Sequence, residues 1–502
     1  MKRLFTPAAL GAALALSLAP VTSALAADIT ITPAMSPVAN AVCGNSSDPS
    51  GQGDCANLNN DDNGNTVTVQ SGATVQNNVF GRFDNSDLAT TATGNQVTVS
   101  GTVTNRAYGA QAISQNDNLN ATAKDNKVTV NAVGGVAGVV SGDTTGGYAV
   151  GLDGAAVSVT GNEVVVAGGT VSNVYGGKIS VCGDDCTANA SNNKITMTGN
   201  VGTTGGFYGG YAEISSGAIT ASGNTVAITG GNTSRFIYGG AAYTDNGGAA
   251  TASGNTVTAT GGTLAGNAGI EGADVIVVGD ATASGNTVSI TGGSVPGSMA
   301  IVGAYVWSDS GAATATNNTV EIGGTAVINS GQSSLCGGVP ETNTGTVNST
   351  GNTLKLSIKG VSVGDMGQFQ NLNFQVPAGL GADAMLTVTD AAGNAGIADL
   401  GNNAKISVSL PAAPKVGDEF VLISAHSLIG TADPVVASPQ GYTLAIDAAE
   451  LANNRLVVKV TGLAPVALPS SATSVPALGE SGLAALGLLL GGLGLVAVRR
   501  KA

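Results

Sequence analysis

The stretch Gly64-Asn65-Thr66-Val67-Thr68-Val69 decides the fold, because variants of it return along most of the chain. Small polar residues alternate in it with branched apolar residues, which is the period-two pattern of a half-buried β-strand. The copies keep a steady spacing; Asn224 and Asn255, for example, are 31 residues apart. A constant period of this length predicts a repeat protein. The repeated asparagines are Asn65, Asn95, Asn126, Asn162, Asn193, Asn224, Asn255, Asn286, Asn318 and Asn352.

Each copy supplies two apolar residues that one repeat alone could not bury. Stacking successive copies in register would align these residues in two columns and form a continuous core. We therefore expect both columns to point inward. The first comprises Val67, Val97, Val128, Val164, Ile195, Val226, Val257, Val288, Val320 and Leu354, and the second Val69, Val99, Val130, Val166, Met197, Ile228, Ala259, Ile290, Ile322 and Leu356.

Two further segments complete the repeat. One is a second strand marked by a bulky residue before glycine, as in Tyr175-Gly176-Gly177 and Tyr238-Gly239-Gly240, and we interpret this phrase as a packed corner rather than a ligand platform. The other is rich in Ala, Thr and Ser. Three short strands per repeat predict an all-β fold, a right-handed parallel β-helix of about ten repeats, since parallel crossovers strongly favour that hand.

The repeated asparagine has two interpretations. An Asn row could coordinate cations or glycans. Alternatively, Asn after Gly tolerates a left-handed turn and stacks its amides from coil to coil. We favour the second interpretation.

The N-terminal residues have the three parts of a secretory signal peptide. Lys2 and Arg3 precede an apolar run at 8–19, and an A-x-A cleavage site ends at Ala26. The apolar run is too short for a permanent membrane anchor.

The C-terminal residues are also tripartite, with a short motif, an apolar run at 483–498 that we predict to be a transmembrane helix, and a basic end. The basic end would stay cytoplasmic by the positive-inside rule. Composition alone does not separate a sorting signal from a plain membrane anchor. The motif resembles the IPTL-CTERM sorting signal of Gram-negative envelope proteins, which implies a sorting enzyme as partner. Within the motif, Pro476, Leu478, Glu480 and Gly482 match, and Arg499 and Arg500 belong to the basic end. Val475 replaces the usual Ile, Ala477 the usual Thr and Ser481 the usual Trp.

These features divide the chain into six parts. From about residue 355 the period fades, and a repeat array needs an atypical end cap to hide its last apolar coil. The predicted parts are a signal peptide (1–26), an N-terminal cap with a cysteine pair (27–59), the solenoid (60–360), a degenerate β end cap (361–460), a linker (461–474) and the sorting signal (475–502).

Composition excludes several classes of function. The chain has a net charge of −14, which argues against nucleic acid or an anionic membrane surface as a partner. Only 10% of residues are charged while 76 are glycine, which is unusual for an enzyme core and typical of repetitive β-structure.

Five cysteines in an exported chain favour disulfides. We expect Cys43 to pair with Cys55 and Cys182 with Cys186, which leaves Cys336 over. A metal site is the alternative, but no second CxxC-type pair or nearby His accompanies them.

No catalytic, metal or cofactor site is predicted. A Ser-His-Asp site would need the single histidine, His426, which lies in an apolar context that favours an end-cap residue. The pairs Asp61-Asp62 and Asp184-Asp185 lie in Gly/Asn loops. Glycan-cleaving β-helices do use carboxylates, so acids from successive coils that converge in a groove would favour an enzyme.

The repeat region resembles the passenger domains of autotransporter adhesins, on the Gly-Asn-Thr-Val phrase followed by Tyr-Gly-Gly and on 416–423 as a passenger end. No strands for a translocating barrel follow. The resemblance implies an exported, adhesin-like surface protein with a surface or glycan ligand. The alternatives are a carbohydrate-active β-helix enzyme and a plain membrane-anchored stalk.

Overall fold

The computed structural model describes residues 28–44, 63–180, 182–199, 201–265, 269–297, 299–329, 333–391, 394–411 and 414–463. These residues form a parallel β-solenoid of about 11 turns, as the repeat predicts. The signal peptide, Cys55, Asp61-Asp62, most of the linker and the sorting signal lie outside the described residues.

Three long parallel sheets run along the solenoid, and the Gly-Asn-Thr-Val phrase opens the strands of the first, sheet A. Successive copies pair without offset; Val226, for example, lies opposite Val257. Sheet A contains Asp28–Ile31, Thr66–Val69, Thr74–Val75, Gln96–Val99, Thr102–Val103, Lys127–Val130, Val139–Val140, Glu163–Val166, Gly169–Val171, Lys194–Met197, Val201–Thr203, Thr225–Ile228, Asn232–Thr233, Thr256–Leu264, Thr287–Val295, Thr319–Ile322, Val327–Ile328, Thr353–Leu356, Asn371–Gln375 and Lys405–Ser409.

Sheet B contains the bulky-Gly-Gly phrases. These phrases lie within strands rather than at corners, which corrects the sequence-based interpretation. Its strands are Val42–Cys43, Val79–Phe80, Phe83–Ser86, Ala107–Ser114, Thr144–Val150, Val174–Ser180, Phe207–Ile214, Ile237–Thr244, Gly269–Val277, Ala300–Val302, Tyr305–Ser308, Ser334–Cys336, Val339–Thr342, Asp365–Gly367, Ile397–Asp399 and Ser427–Ile429.

Sheet C is built from the Ala/Thr/Ser segments. Small residues alternate along its strands between buried Ala and outward Thr or Ser, so this wall packs closely. Its strands are Thr90–Thr93, Ala121–Lys124, Ala156–Thr160, Cys186–Ser191, Gly217–Ser222, Ala250–Ser253, Ala281–Ser284, Ala313–Thr316 and Val347–Thr350.

Both predicted apolar columns point inward. Val226 and Val288 have no exposed surface, and the most exposed member of either column, Leu356, exposes only 2%. The apolar side chains of stacked coils thus form the continuous core that the repeat requires.

The repeated asparagines form a buried ladder. Asn224 Nδ2 donates to Asn255 Oδ1 at 3.0 Å and to the Ala190 carbonyl oxygen at 2.8 Å. Asn224 Oδ1 in turn accepts from the backbone N–H and Nδ2 of Asn193, at 2.9 and 3.1 Å. The same pattern links the asparagines from Asn65 to Asn352, whose backbone N–H donates to Gln370. The side-chain amides are buried and hydrogen-bonded within the ladder, which supports stacking of the asparagines from coil to coil over a site for cations or glycans.

The second glycine of each bulky-Gly-Gly phrase packs against this ladder. A Cβ built on Gly177 or Gly240 would lie 2.6 Å from side-chain atoms of Asn193 or Asn255. The Gly-Gly phrase is therefore the steric complement of the Asn phrase of the same coil.

Sheets A and B extend beyond the predicted solenoid boundaries. Asp28–Ile31 pairs in parallel with Thr66–Val69, so residues of the predicted N-terminal cap already form solenoid strands. Asn371–Gln375 and Lys405–Ser409 continue sheet A past residue 360. Their apolar residues keep the inward register, although the Gly-Asn phrase is gone.

A separate five-stranded sheet forms the C-terminal end; its first three strands pair in parallel, and the last two pairings are antiparallel. Its strands are Val361–Val363, Leu386–Val388, Glu419–Ala425, Thr443–Ile446 and Arg455–Gly462. The remaining elements are two small hairpins, a 3-10 turn and one helical turn: Ala132–Val133 with Val136–Ala137, Asp390–Ala391 with Asn394–Ala395, Pro33–Met35 and Ala448–Leu451. In the part of the chain that the structure describes, no helix has the length and apolar character needed to cross a membrane.

Candidate functional site

The outer side of sheet B concentrates the aromatic residues of the protein. Along Val174–Ser180, Val174 and Ile179 belong to the core, whereas Tyr175 and Lys178 project from the other side. Eight of the nine tyrosines and the single tryptophan lie on strands of this sheet. We call this surface the tyrosine face: Phe80, Phe83, Tyr108, Tyr148, Tyr175, Tyr208, Tyr211, Tyr238, Tyr243, Tyr305 and Trp307.

Parallel in-register pairing lines these rings up along the solenoid axis. Tyr175 lies opposite Tyr208, and Tyr208 opposite Tyr238. The Tyr175 and Tyr208 rings stack with their centroids 4.9 Å apart, and Tyr211 meets both edge-on at 5.5 and 5.4 Å. Such stacked and edge-on pairs are favourable beyond the area they bury. The rings therefore form a continuous, ordered aromatic surface over several coils.

One lysine is held within this surface. Lys178 Nζ lies 4.2 Å from the centroid of the Tyr175 ring and 3.1 Å from Asp143 Oδ2. An ammonium group over an aromatic face is attracted by the negative electrostatic potential of that face, and the carboxylate adds a direct ion pair. This arrangement shows that the tyrosine face accommodates a positive charge.

An acidic pair follows the tyrosines in the next coil. Glu271 takes the place of a ring, opposite Tyr238, and Asp274 lies opposite Tyr305 of the following coil. Only 9% of Glu271 and 5% of Asp274 is exposed. Tyr243 Oη donates to Asp274 Oδ2 at 2.6 Å, while Glu271 Oε2 and Asp274 Oδ1 are buried with no hydrogen-bond partner.

Burial governs the ionisation of this pair. Loss of water contact raises the pKa of Asp274 to about 6, although the hydrogen bond from Tyr243 opposes the rise. Burial, together with the negative charge of Asp274, raises the pKa of Glu271 well above its usual value. Two carboxyl groups in one site with pKa values moved toward neutrality are typical of functional sites.

The residues singled out from sequence lie apart from this face. His426 is exposed, and no hydrogen bond of its ring to any described residue is found, so no Ser-His-Asp arrangement forms around it. Asp184 and Asp185 are exposed in a turn. Cys182 and Cys186 form a disulfide that closes this turn, with 6.0 Å between their Cα atoms.

Cys43 and Cys336 lie on strands of sheet B. Cys43 is disulfide-bonded, and its expected partner, Cys55, lies outside the described residues. Cys336 is a free thiol opposite Val302, and burial raises its pKa to about 12, which keeps the thiol protonated and unreactive.

Sequence reasoning missed the acidic pair, although a signal was present. Glu271 precedes Gly272 as Tyr238 precedes Gly239, so an alignment of the repeats at this glycine places a carboxylate in the row of tyrosines.

The fold and this face define the class of the protein: a parallel β-solenoid that displays an aromatic, partly acidic surface. The IPTL-CTERM motif matches residues 473–500, so the chain carries a C-terminal sorting signal of exported, surface-sorted proteins. No curated protein and no solved structure matches the chain.

Proposed function

We propose that the protein is an adhesin-like surface solenoid that binds glycans along the tyrosine face. The observation that carries the proposal is the concentration of eight tyrosines and Trp307 on one sheet, where Tyr175, Tyr208 and Tyr238 form a row. Pyranose rings present apolar C–H faces that pack on aromatic rings, and tyrosine hydroxyls supply hydrogen bonds at the ring edge. A linear glycan would lie along the axis, since coils repeat every ~4.8 Å.

Binding of purified solenoid to an array of bacterial and host glycans tests this proposal. Tyr211→Ala and Trp307→Ala each remove a half-buried ring from the face and should weaken binding of every ligand found. Thr220→Ala, on the outer side of sheet C, is the matched control and should leave binding unchanged. Equal affinity in all three variants would contradict the proposal.

A carbohydrate-active enzyme is the second candidate, and the acidic pair is the observation that favours it. Glycoside hydrolysis uses one protonated and one ionised carboxyl group, a division that the raised pKa values of Glu271 and Asp274 would allow. Both acids, however, come from one strand rather than from successive coils. New reducing ends that appear with the wild type and disappear with Glu271→Gln would establish this activity.

We also propose a route to the surface. The apolar run at 483–498 would insert in the inner membrane of a Gram-negative cell, and cleavage near 475–482 would release the solenoid outward. The double change of Pro476→Ala and Glu480→Ala should trap the full-length chain in the inner membrane. If wild type and variant both keep residues 499–502 there by mass spectrometry, the tail is an ordinary anchor.

A further inference from the structure

Glu271 and Asp274 lack the positive partner that buried carboxylates normally have. Among the residues that the structure describes, no lysine or arginine forms an ion pair with either side chain. Burial of an ionised carboxylate is costly unless a cation or hydrogen bonds compensate it. Here Tyr243 supplies one hydrogen bond, and two carboxyl oxygens have none. Without a cation the pair therefore offsets this cost by holding protons to a higher pH, and a bound cation could take their place.

On the same face, Lys178 provides the kind of positive partner that the acidic pair lacks. Lys178 and Asp274 occupy one register column, since Lys178 lies opposite Tyr211, Tyr211 opposite Ala241 and Ala241 opposite Asp274. At Lys178 an ammonium rests on an aromatic ring and contacts a carboxylate. At Asp274 the carboxylate and the rings are present and the ammonium is not.

Three tyrosines neighbour the acidic pair. Tyr238 precedes Glu271 in its column, Tyr305 follows Asp274, and Tyr243 contacts Asp274 directly. Rings that face a cation attract it, and carboxylates strengthen the attraction. Tyr305 is only half-buried, so its ring is accessible at the side of the pair that faces the following coil.

We propose that Glu271 and Asp274, with Tyr238, Tyr243 and Tyr305, bind the primary ammonium group of an amino sugar within a glycan. This inference rests on the proposed glycan-binding function and specifies its ligand: a glycan with free, non-acetylated amines. The sugar ring packs on the tyrosine rows while its ammonium enters between the two carboxyl groups. An acetylated amine has no charge and cannot fill this position.

The proposal has a proton-linked consequence. An incoming ammonium favours the ionised form of its partners, so it lowers the raised pKa values of the pair and releases protons near pH 6. Calorimetry in buffers of different ionisation heats measures this release independently of affinity.

The test compares oligomers of glucosamine with oligomers of N-acetylglucosamine of equal length, near neutral pH. The wild type should prefer the free amine by on the order of tenfold, the scale of one desolvated cation–aromatic contact. Glu271→Gln and Asp274→Asn keep the shape of the side chains and should abolish both the preference and the proton release. Glu213→Gln removes an equal charge from an exposed position on the same face and should retain both, which excludes general attraction to an acidic protein.

Three results would overturn the inference. Equal affinity for the two oligomers, with binding still sensitive to Tyr211→Ala, would reject the amine specificity and keep glycan binding. A preference retained in Glu271→Gln and Asp274→Asn would place the amine elsewhere. Tighter binding of an oligolysine than of the glucosamine oligomer would favour a basic peptide. If no glycan binds at all, the proposed function itself fails.

Discussion

Gly210 lies directly against Asn224: a Cβ on Gly210 would come within 2.5 Å of the Asn224 amide nitrogen. The two residues belong to different phrases of the repeat, and their contact joins sheet B to the ladder on sheet A. The Gly-rich composition thus reflects close packing inside the solenoid as well as turns.

Gly210→Ala should destabilise the solenoid by about 1–3 kcal/mol, because an added methyl group has no space and must displace a hydrogen-bonded amide. Gly202→Ala is the control, since the nearest atom to its Cβ would be 3.9 Å away. Chemical denaturation of both variants measures the difference. Similar denaturation midpoints for the two variants would mean that the asparagine ladder accommodates the added methyl group without a loss of stability.

Asn224→Ala should cost on the order of 3 kcal/mol or more, since it leaves the Asn193 donors and the Ala190 carbonyl oxygen without partners in a dry interior. Asn232→Ala, at an exposed position of the same solenoid coil, should change the free energy of unfolding by less than about 0.5 kcal/mol. Comparable losses in the two variants would show that the ladder contributes little.

Val226→Asp places a carboxylate in the core column and should cost several kcal/mol, roughly the burial of an unpaired charge after relaxation. Thr225→Asp adds the same group on the outward side of the strand and should stay within about 0.5 kcal/mol. Thermal unfolding of both variants provides the comparison, and equal shifts would reverse the assignment of faces.

The acidic pair should make stability fall as pH rises. Because the folded-state pKa values of Glu271 and Asp274 lie above their unfolded values, the folded protein holds more protons than the unfolded chain between about pH 4 and beyond pH 6. The stabilisation is complete below that window and is lost as pH rises through it. The hydroxyl of Tyr305, with a pKa raised to about 12, stays protonated there.

Asp274→Asn should therefore raise the free energy of unfolding at pH 8 by roughly 2 kcal/mol relative to wild type, and much less at pH 4. Denaturation at both pH values measures the difference. A gain in the free energy of unfolding that does not depend on pH would show that burial does not raise the pKa of the Asp274 carboxyl group.

The amino-acid sequence predicts the core better than the surface. Val226 and its counterparts alternate in a fixed phrase, so their inward direction follows from the period alone. The place of Glu271 does not follow from the period, because coils differ in length. The Ala132–Ala137 hairpin, for example, lengthens the coil between Asn126 and Asn162.

The Gly-Gly pair also breaks the simple in–out alternation of sheet B, since Tyr175 and Lys178 project on the same side although they are three positions apart in the sequence. In–out alternation therefore does not reveal the acidic pair, whereas an alignment of the repeats at the sheet B glycine does. The period of the Gly-Asn phrase also does not indicate where sheet A ends, because Asp28–Ile31 and Asn371–Gln375 keep the apolar columns without that phrase.

The uniformity of the asparagine ladder makes the coils interchangeable. Each amide meets an identical amide above and below, so removal of residues 224–254 would bring Asn193 against Asn255 with every donor and acceptor again matched. The solenoid would shorten by one coil, ~4.8 Å, without a foreign junction. The length of the solenoid can therefore change in whole steps of one coil, but its outer surface changes with it: residues 224–254 include Tyr238 and Tyr243, so this deletion would also remove the hydrogen bond from Tyr243 to Asp274.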